Sequence, residues 1–188
     1  MTAPLAAPSL VKPPLADRVA LRLARLPGVN RHHVLWARSH VLEWTLSLRR
    51  PFYPRVLGHR MTQREIGHAG EVLATRWLPK QGRKVLYRNY FAPGGGEVDI
   101  VARHGKVLTF IEVKTRTSAD FGRPADAVNA KKRQLIQRGA HHWLRIMRWP
   151  HVRYRFDILE VLLLPGEEPR LNLIENAFGL SDSVMIGR

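Results

Sequence analysis

The chemically suggestive pattern in this sequence is a pair of acids two residues apart, Glu97 and Asp99, followed by Glu112 and Lys114 at the same spacing. They lie in GEVDIVARHGKVLTFIEVK, Gly96 to Lys114, two runs in which apolar and polar residues alternate around a short turn. Alternation with period two is the mark of a half-buried strand, so the segment predicts a β-hairpin. With His104-Gly105 as a two-residue turn, Arg103 pairs with Lys106, Asp99 with Phe110 and Glu97 with Glu112. That register gathers Glu97, Asp99, Glu112 and Lys114 on one face. A slip of one residue would send the carboxylates of the two strands to opposite faces. Three carboxylates on neighbouring strands repel unless a cation sits among them. A hard divalent ion such as Mg2+ or Mn2+ suits oxygen donors and keeps several waters, so one or two carboxylates and a backbone carbonyl suffice. Lys114 then places an ammonium beside the ion, an arrangement suited to hydrolysing a phosphodiester. The same four residues are also what two solvent-facing strands with mixed charges would carry.

The net charge is +16, from 31 Lys and Arg against 15 Asp and Glu. Such an excess points to a polyanionic partner, nucleic acid first and an anionic membrane surface second. Residues 1–60 hold ten basic and two acidic side chains, while three of the few acids in the rest crowd between positions 97 and 112. An acidic knot in a basic field lets the field hold phosphates and the knot hold an ion. The sequence has no cysteine, which excludes disulfides, thiolate zinc sites and thiol nucleophiles. Its nine histidines form no HExxH, and the adjacent pairs His32-His33 and His141-His142 do not share a helix face, so they read as surface residues. No apolar run is long enough to cross a bilayer, and no secretory h-region is evident, although the Arg-rich start leaves a transit peptide open; a cytoplasmic protein is expected.

Along the chain, residues 1–60 read as a basic extension, Pro- and Ala-rich at first, with a short helix over 15–26 and an amphipathic helix from Asn30 to about Arg49. No residue there has a specific chemical role, so the extension should be dispensable for chemistry. Residues 61–178 read as the domain and 179–188 as a tail. Thr62 and Glu65 form a capping box for a helix whose buried face is Ile66, Ala69, Leu73 and Trp77. Lys84 to Phe91 predicts a strand, and the glycines at 94–96 a hairpin loop. A helix is expected from Ala125 or Asp126 to about Arg148, with Ala127, Val128, Leu135, Ala140, Trp143, Leu144 and Met147 inward and Lys131, Lys132, Arg133 and Arg138 on exposed turns. Arg153 to Leu163 predicts a last strand, after which LNLIENAF packs back on the domain. Lys131, Lys132 and Arg133, with Arg116, are the candidate phosphate contacts.

Asp99, the short hairpin, Glu112-Val113-Lys114 and a preceding helix with Glu71 resemble the PD-(D/E)XK nuclease superfamily. In finer detail GHAGEVLATRWL, GGGEVDIVARHG, FIEVKTR, FGRPADAV, RFDILEV and IENAF, in that order, resemble the YraN family, also called UPF0102. Val98 rather than Pro precedes Asp99, as in the YraN pattern. The resemblance implies an α/β, restriction-endonuclease-like mixed sheet flanked by helices, here with an N-terminal helical extension, similar to archaeal Holliday junction resolvases. It implies that Asp99, Glu112 and the Val113 carbonyl bind Mg2+ or Mn2+, that Lys114 and Glu71 complete the catalytic set, and that the substrate is nucleic acid, DNA before RNA. A homodimer is left open. The rival reading is a non-catalytic nucleic-acid-binding module on the same fold, and a third is a basic peripheral membrane protein.

Overall fold

The structure is a computed structural model that describes residues 40–56, 58–118, 128–148 and 151–179. These fall into two compact units. In the smaller unit residues 40–45 are helical and Arg55–Val56 (β1) pairs antiparallel with His59–Arg60 (β2). Among its described residues Leu42, Val56 and Met61 are buried. The expected helix to Arg49 ends at Thr45, whose hydroxyl donates to the Val41 and Leu42 carbonyls. Its expected start at Asn30, and the helix over 15–26, lie outside the described residues.

The larger unit, Leu46–Pro54 and the chain from Thr62 onward, carries the mixed α/β architecture of a restriction-endonuclease-like fold. Its elements are α1 (Gln63–Trp77) with a following 3-10 turn (Leu78–Gln81), β3 (Arg83–Ala92), β4 (Gly96–His104), β5 (Val107–Arg116), α2 (Ala130–Ile146), β6 (Arg153–Leu162) and β7 (Arg170–Phe178). The five strands lie in the order β3-β4-β5-β6-β7, antiparallel except where β6 runs parallel to β5. A parallel neighbour needs a crossover, and α2 lies on it. Phe110, Phe156 and Ile158 share a core with Ile136, Ala140 and Leu144 of α2. Gly70 of α1 lies against Thr115, of opposite parity to Phe110 on β5, so the two helices cover opposite faces. Residues 46–54 also join this unit: Phe52 is buried, its N–H donates to the Glu167 carbonyl at 2.7 Å, and its carbonyl accepts from Gly166 N at 2.7 Å. Among the described residues no helix is long and apolar enough to cross a membrane.

The hairpin that carries the acids differs from the expected register. Its turn is Gly105-Lys106, with His104 opposite Val107, Val101 opposite Phe110 and Ile100 opposite Ile111. Gly105 has φ +57° at the first turn position, where a type II′ turn favours glycine. The expected pairing is therefore wrong by two residues, and one step beyond the last pair sets Asp99 towards Glu112. A shift of two preserves parity along the paired residues, but the ladder ends at Ile100 and Ile111, and Val98 and Val101 both pack on the α2 side, so regular alternation does not carry through to the acids; they meet in a cleft beyond the last pair.

Two further expectations need correction. Helix α2 begins at Ala130, with Asn129 as N-cap accepting from Lys132 N at 2.9 Å, because an Asn side chain satisfies one of the first-turn N–H groups. Met147, expected inward, is 55% exposed, and Ile136 takes the buried place instead. The segment after Pro165 forms a true strand, β7, beside β6. The β6–β7 ladder is irregular between Phe156 and Ile158, and there the buried Asp157 carboxylate accepts from Asn176 N at 2.9 Å and Arg155 Nε at 2.9 Å. The carboxylate thus satisfies an N–H that the broken ladder leaves over. Glu175 pairs with Arg155, at 2.9 Å, and with Arg83 of β3. Burial pushes the Asp157 pKa up, against the pull of Asn176 N–H and Arg155.

Gly96 and Gly139 decide how close α2 lies to β4. A β-carbon at Gly96 would fall on the backbone of Gly139, and one at Gly139 would come within 3.0 Å of Val98 Cγ2. Backbone cannot rotate away as a side chain can, so Gly96→Ala is expected to cost about 1–3 kcal/mol or more through overpacking. Urea unfolding of the two proteins checks this. An unchanged midpoint would mean that the helix can move aside freely.

Candidate active site: an acidic cleft between α1, β3, β4, β5 and α2

The sheet and its helices enclose a cleft of about 500 Å3. Helix α1 contributes Arg64, His68 and Glu71, β3 contributes Asn89 and Phe91, β4 contributes Glu97, Val98 and Asp99, β5 contributes Glu112 and Val113, and α2 contributes Lys132. The capping box at Thr62 and Glu65 forms as expected and starts α1. From there Arg64, His68 and Glu71 follow at i, i+4 and i+7, one stripe of the helix. The apolar stripe of Ile66, Ala69 and Leu73 is buried, which orients the polar one. Asn89 has φ +50°, a left-handed conformation that asparagine tolerates better than most residues. Phe91, 70% exposed, stands at the edge of the cleft.

At the centre, Asp99 Oδ2 accepts from Val113 N at 2.7 Å, a bond that ties the two strands together and fixes the carboxylate. Glu112 is 2% exposed. Its Oε1 lies 2.9 Å from Lys114 Nζ and its Oε2 lies 3.2 Å from Lys132 Nζ. Oε2 is buried and makes no hydrogen bond of good geometry, so the Lys132 contact is one of charge alone. Lys132 also bonds Glu97 Oε1.

Burial is the main reason that the Asp99 carboxyl titrates far from its ordinary 3.8, pushed up to about 7. The negative charges of Glu112 and Glu71 add to that, against the Val113 N–H and the Lys132 ammonium. For Lys132, burial acts to lower the pKa, but Glu112, the hydrogen bond to Glu97 and the charge of Asp99 outweigh it and hold the pKa above the ordinary value. The Asp99 shift has a definite sign for stability. An acid that binds its proton more tightly in the folded chain favours folding most at low pH, and the advantage falls away as pH rises from about 4 to about 7. Metal-free protein should therefore lose stability across that window, and Asp99→Asn should remove this part of the loss. Urea midpoints at pH 5 and pH 8 in a chelator check it. An identical pH profile in the variant would mean that Asp99 titrates normally.

The structure brings Glu71, Asp99, Glu112 and Val113 to one cleft and sets Lys114 against Glu112. The four expected phosphate contacts lie in different surroundings. Lys131 is exposed on α2. Lys132 turns inward to the acids, because 132, 136 and 139 share the stripe that carries the buried Ile136 and Gly139. Arg133 donates to the Val128 carbonyl at 2.9 Å and lies over the Phe178 ring at 5.6 Å. Arg116 is 3.5 Å from Glu160. Arg64, His68, Asn89 and Phe91 line the cleft without a distinct motif in the sequence. For Arg64 and His68 the spacing ahead of Glu71 was the available signal.

The donor set suits a hard cation that keeps waters. Asp99 and Glu112 stand side by side, the Val113 carbonyl belongs to the same strand, and Glu112 Oε2 is buried without a hydrogen bond. Among the described residues, however, no three His, Asp or Glu side chains are arranged to ligate one ion. Lys132 lies among the carboxylates instead.

A protein-family model described as "Uncharacterised protein family UPF0102" matches residues 70–161, which span Glu71, the hairpin and Lys132. A UPF0102 protein of Caldicellulosiruptor saccharolyticus is 40% identical over 119 residues, covering 63% of this chain and 100% of that protein. The chain belongs to the UPF0102 family. UPF0102 proteins of Trichlorobacter lovleyi and Geobacter metallireducens are 44% identical over 117 residues and 42% over 118, covering 62% and 63% of this chain and 91% and 95% of theirs. More than a third of this chain therefore lies outside each of these UPF0102 alignments.

Proposed function

We propose that this protein is a divalent-metal-dependent nuclease that hydrolyses phosphodiester bonds in nucleic acid, DNA before RNA. The observation that supports this best is Glu112, nearly wholly buried beside Asp99 with an ammonium on each of its oxygens, in a cleft of a chain of net charge +16. A module that only bound nucleic acid would gain nothing from buried carboxylates facing phosphates. Asp99, Glu112 and the Val113 carbonyl would hold Mg2+ or Mn2+. When bound, such an ion neutralises charge on the phosphate and makes a water more acidic. Lys114, held 2.9 Å from Glu112, keeps an ammonium where negative charge grows on the phosphorane oxygens. Glu71 lines the cleft from α1 and would orient the attacking water or accept its proton. In the reaction an oxygen of water bonds to phosphorus and the ester P–O bond breaks.

Two measurements test the reading. The first is affinity for duplex, flapped and four-way DNA and for structured RNA across a salt series without metal. With about six phosphate contacts the slope of log K against log salt on duplex is about −5, whereas a flat line removes nucleic acid as the partner. The second is incubation of the same panel with Mg2+ or Mn2+, with Asp99→Asn as the contamination control. Metal-dependent products from the wild type alone support hydrolysis. Tight binding with no product from any member leaves the binding module in its place.

A further inference from the structure

We infer that the Lys132 ammonium is the cleft's resident counter-ion, and that a divalent metal enters by displacing it. The inference rests on the metal-site reading above. Lys132 reaches the acids from a different element, α2, and its Nζ both bonds Glu97 and stands 3.2 Å from Glu112 Oε2. That buried oxygen has no hydrogen bond, so it is held by a cation through charge alone and is open to a better one. Lys114 already serves the other oxygen, Oε1. The exchange is therefore confined to the Lys132 side.

The fold sets Lys132 in this place deliberately close. The contact of Gly96 with Gly139 draws α2 onto β4, and Lys132 lies two turns along the same stripe of the helix. Its side chain is 22% exposed, and a lysine stem is long and flexible, so the ammonium can leave the carboxylates without moving the helix. Outside the acids it is one more positive charge at the rim, where a phosphate can take it. Metal and nucleic acid would then each favour the other: the metal frees Lys132 for phosphate, and phosphate keeps Lys132 away from the metal. By linkage that coupling is equal in both directions.

The test is direct titration of Mn2+ into the folded protein without nucleic acid, by calorimetry and by the paramagnetic signal of free Mn2+. The proteins are wild type, Lys132→Met and Lys131→Met, the last removing the same charge from an exposed neighbour. Lys132→Gln, which keeps a polar end, serves as a second variant if methionine leaves the acids too poorly solvated to fold. The expected result is that loss of the Lys132 charge tightens Mn2+ binding at least tenfold relative to both wild type and Lys131→Met. The rise in melting temperature on adding Mn2+ should also be larger. Equal or weaker binding in the Lys132 variants overturns the exchange and leaves the metal site standing. Absence of Mn2+ binding in every protein overturns both the exchange and the metal-site reading.

Discussion

Asp99→Ala and Glu112→Ala are expected to abolish metal-dependent cleavage while leaving metal-free nucleic-acid binding intact or tighter. Each change removes a donor to the ion and also a negative charge that repels phosphate, so the two readouts move apart. The fall in turnover should exceed the ~10²–10³ that accompanies loss of a single electrostatic stabiliser, because without the ion several contributions vanish together. Folding must be watched separately for the two. Asp99 titrates near 7 because burial and its acidic neighbours disfavour its charge, so neutralising it relieves strain in the metal-free protein. Glu112 is the opposite case, since its loss leaves Lys114 and Lys132 facing each other without their shared partner. Glu112→Gln, which keeps the volume, is therefore the cleaner comparison. Circular dichroism and a salt-series binding curve accompany each rate. Full activity in folded variants at both positions would remove the cleft as the site of hydrolysis.

Lys114→Met should behave differently. It takes away a positive charge beside the reacting phosphate but no donor to the ion, so Mn2+ affinity should not fall, while turnover falls by about a hundredfold or more. Nucleic-acid affinity should drop only modestly, as one charge among many. Rates at saturating metal and substrate separate this from simple loss of binding. A Lys114→Met protein that turns over normally but binds metal poorly would assign Lys114 to holding Glu112 in place rather than to the transition state.

Much of this site is legible from residue types and alternation. The expected hairpin register gathers Glu97, Asp99, Glu112 and Lys114 by alternation, and the true turn at Gly105-Lys106 differs by two residues; what brings the acids together is the cleft beyond the last ladder pair. The capping box likewise marks the start of α1, whereas Glu71 is legible only through its place in the GHAGEVLATRWL motif and not from helical spacing. What escaped depends on contacts distant in sequence. Lys132 reads as one of three basic residues on an exposed turn until Ile136 and Gly139 are seen to share its stripe and Gly96 is seen to admit the helix. β7 is hidden because its alternation is weak, with Asn172, Glu175 and Asn176 among its residues. Its place is set instead by the buried Asp157, which accepts the N–H of Asn176 where the ladder slips. Asp157 also gives a structural reason for the acid in RFDILEV, distinct from the chemistry assigned to Asp99. Arg64 and His68 carry no signal in the apolar periodicity of α1, because the polar stripe is the one that lines the cleft.

One divalent cation is expected to bind between Asp99 and Glu112. Anomalous diffraction from crystals grown with Mn2+ and an uncleaved nucleic acid measures this without reference to rate. The expected result is a peak within about 2–2.5 Å of an Asp99 oxygen, a Glu112 oxygen and the Val113 carbonyl, with the backbone phosphate beside Lys114. A peak elsewhere on the protein, or nucleic acid bound with no peak in the cleft while Lys132 still pairs with Glu97 and Glu112, would contradict it.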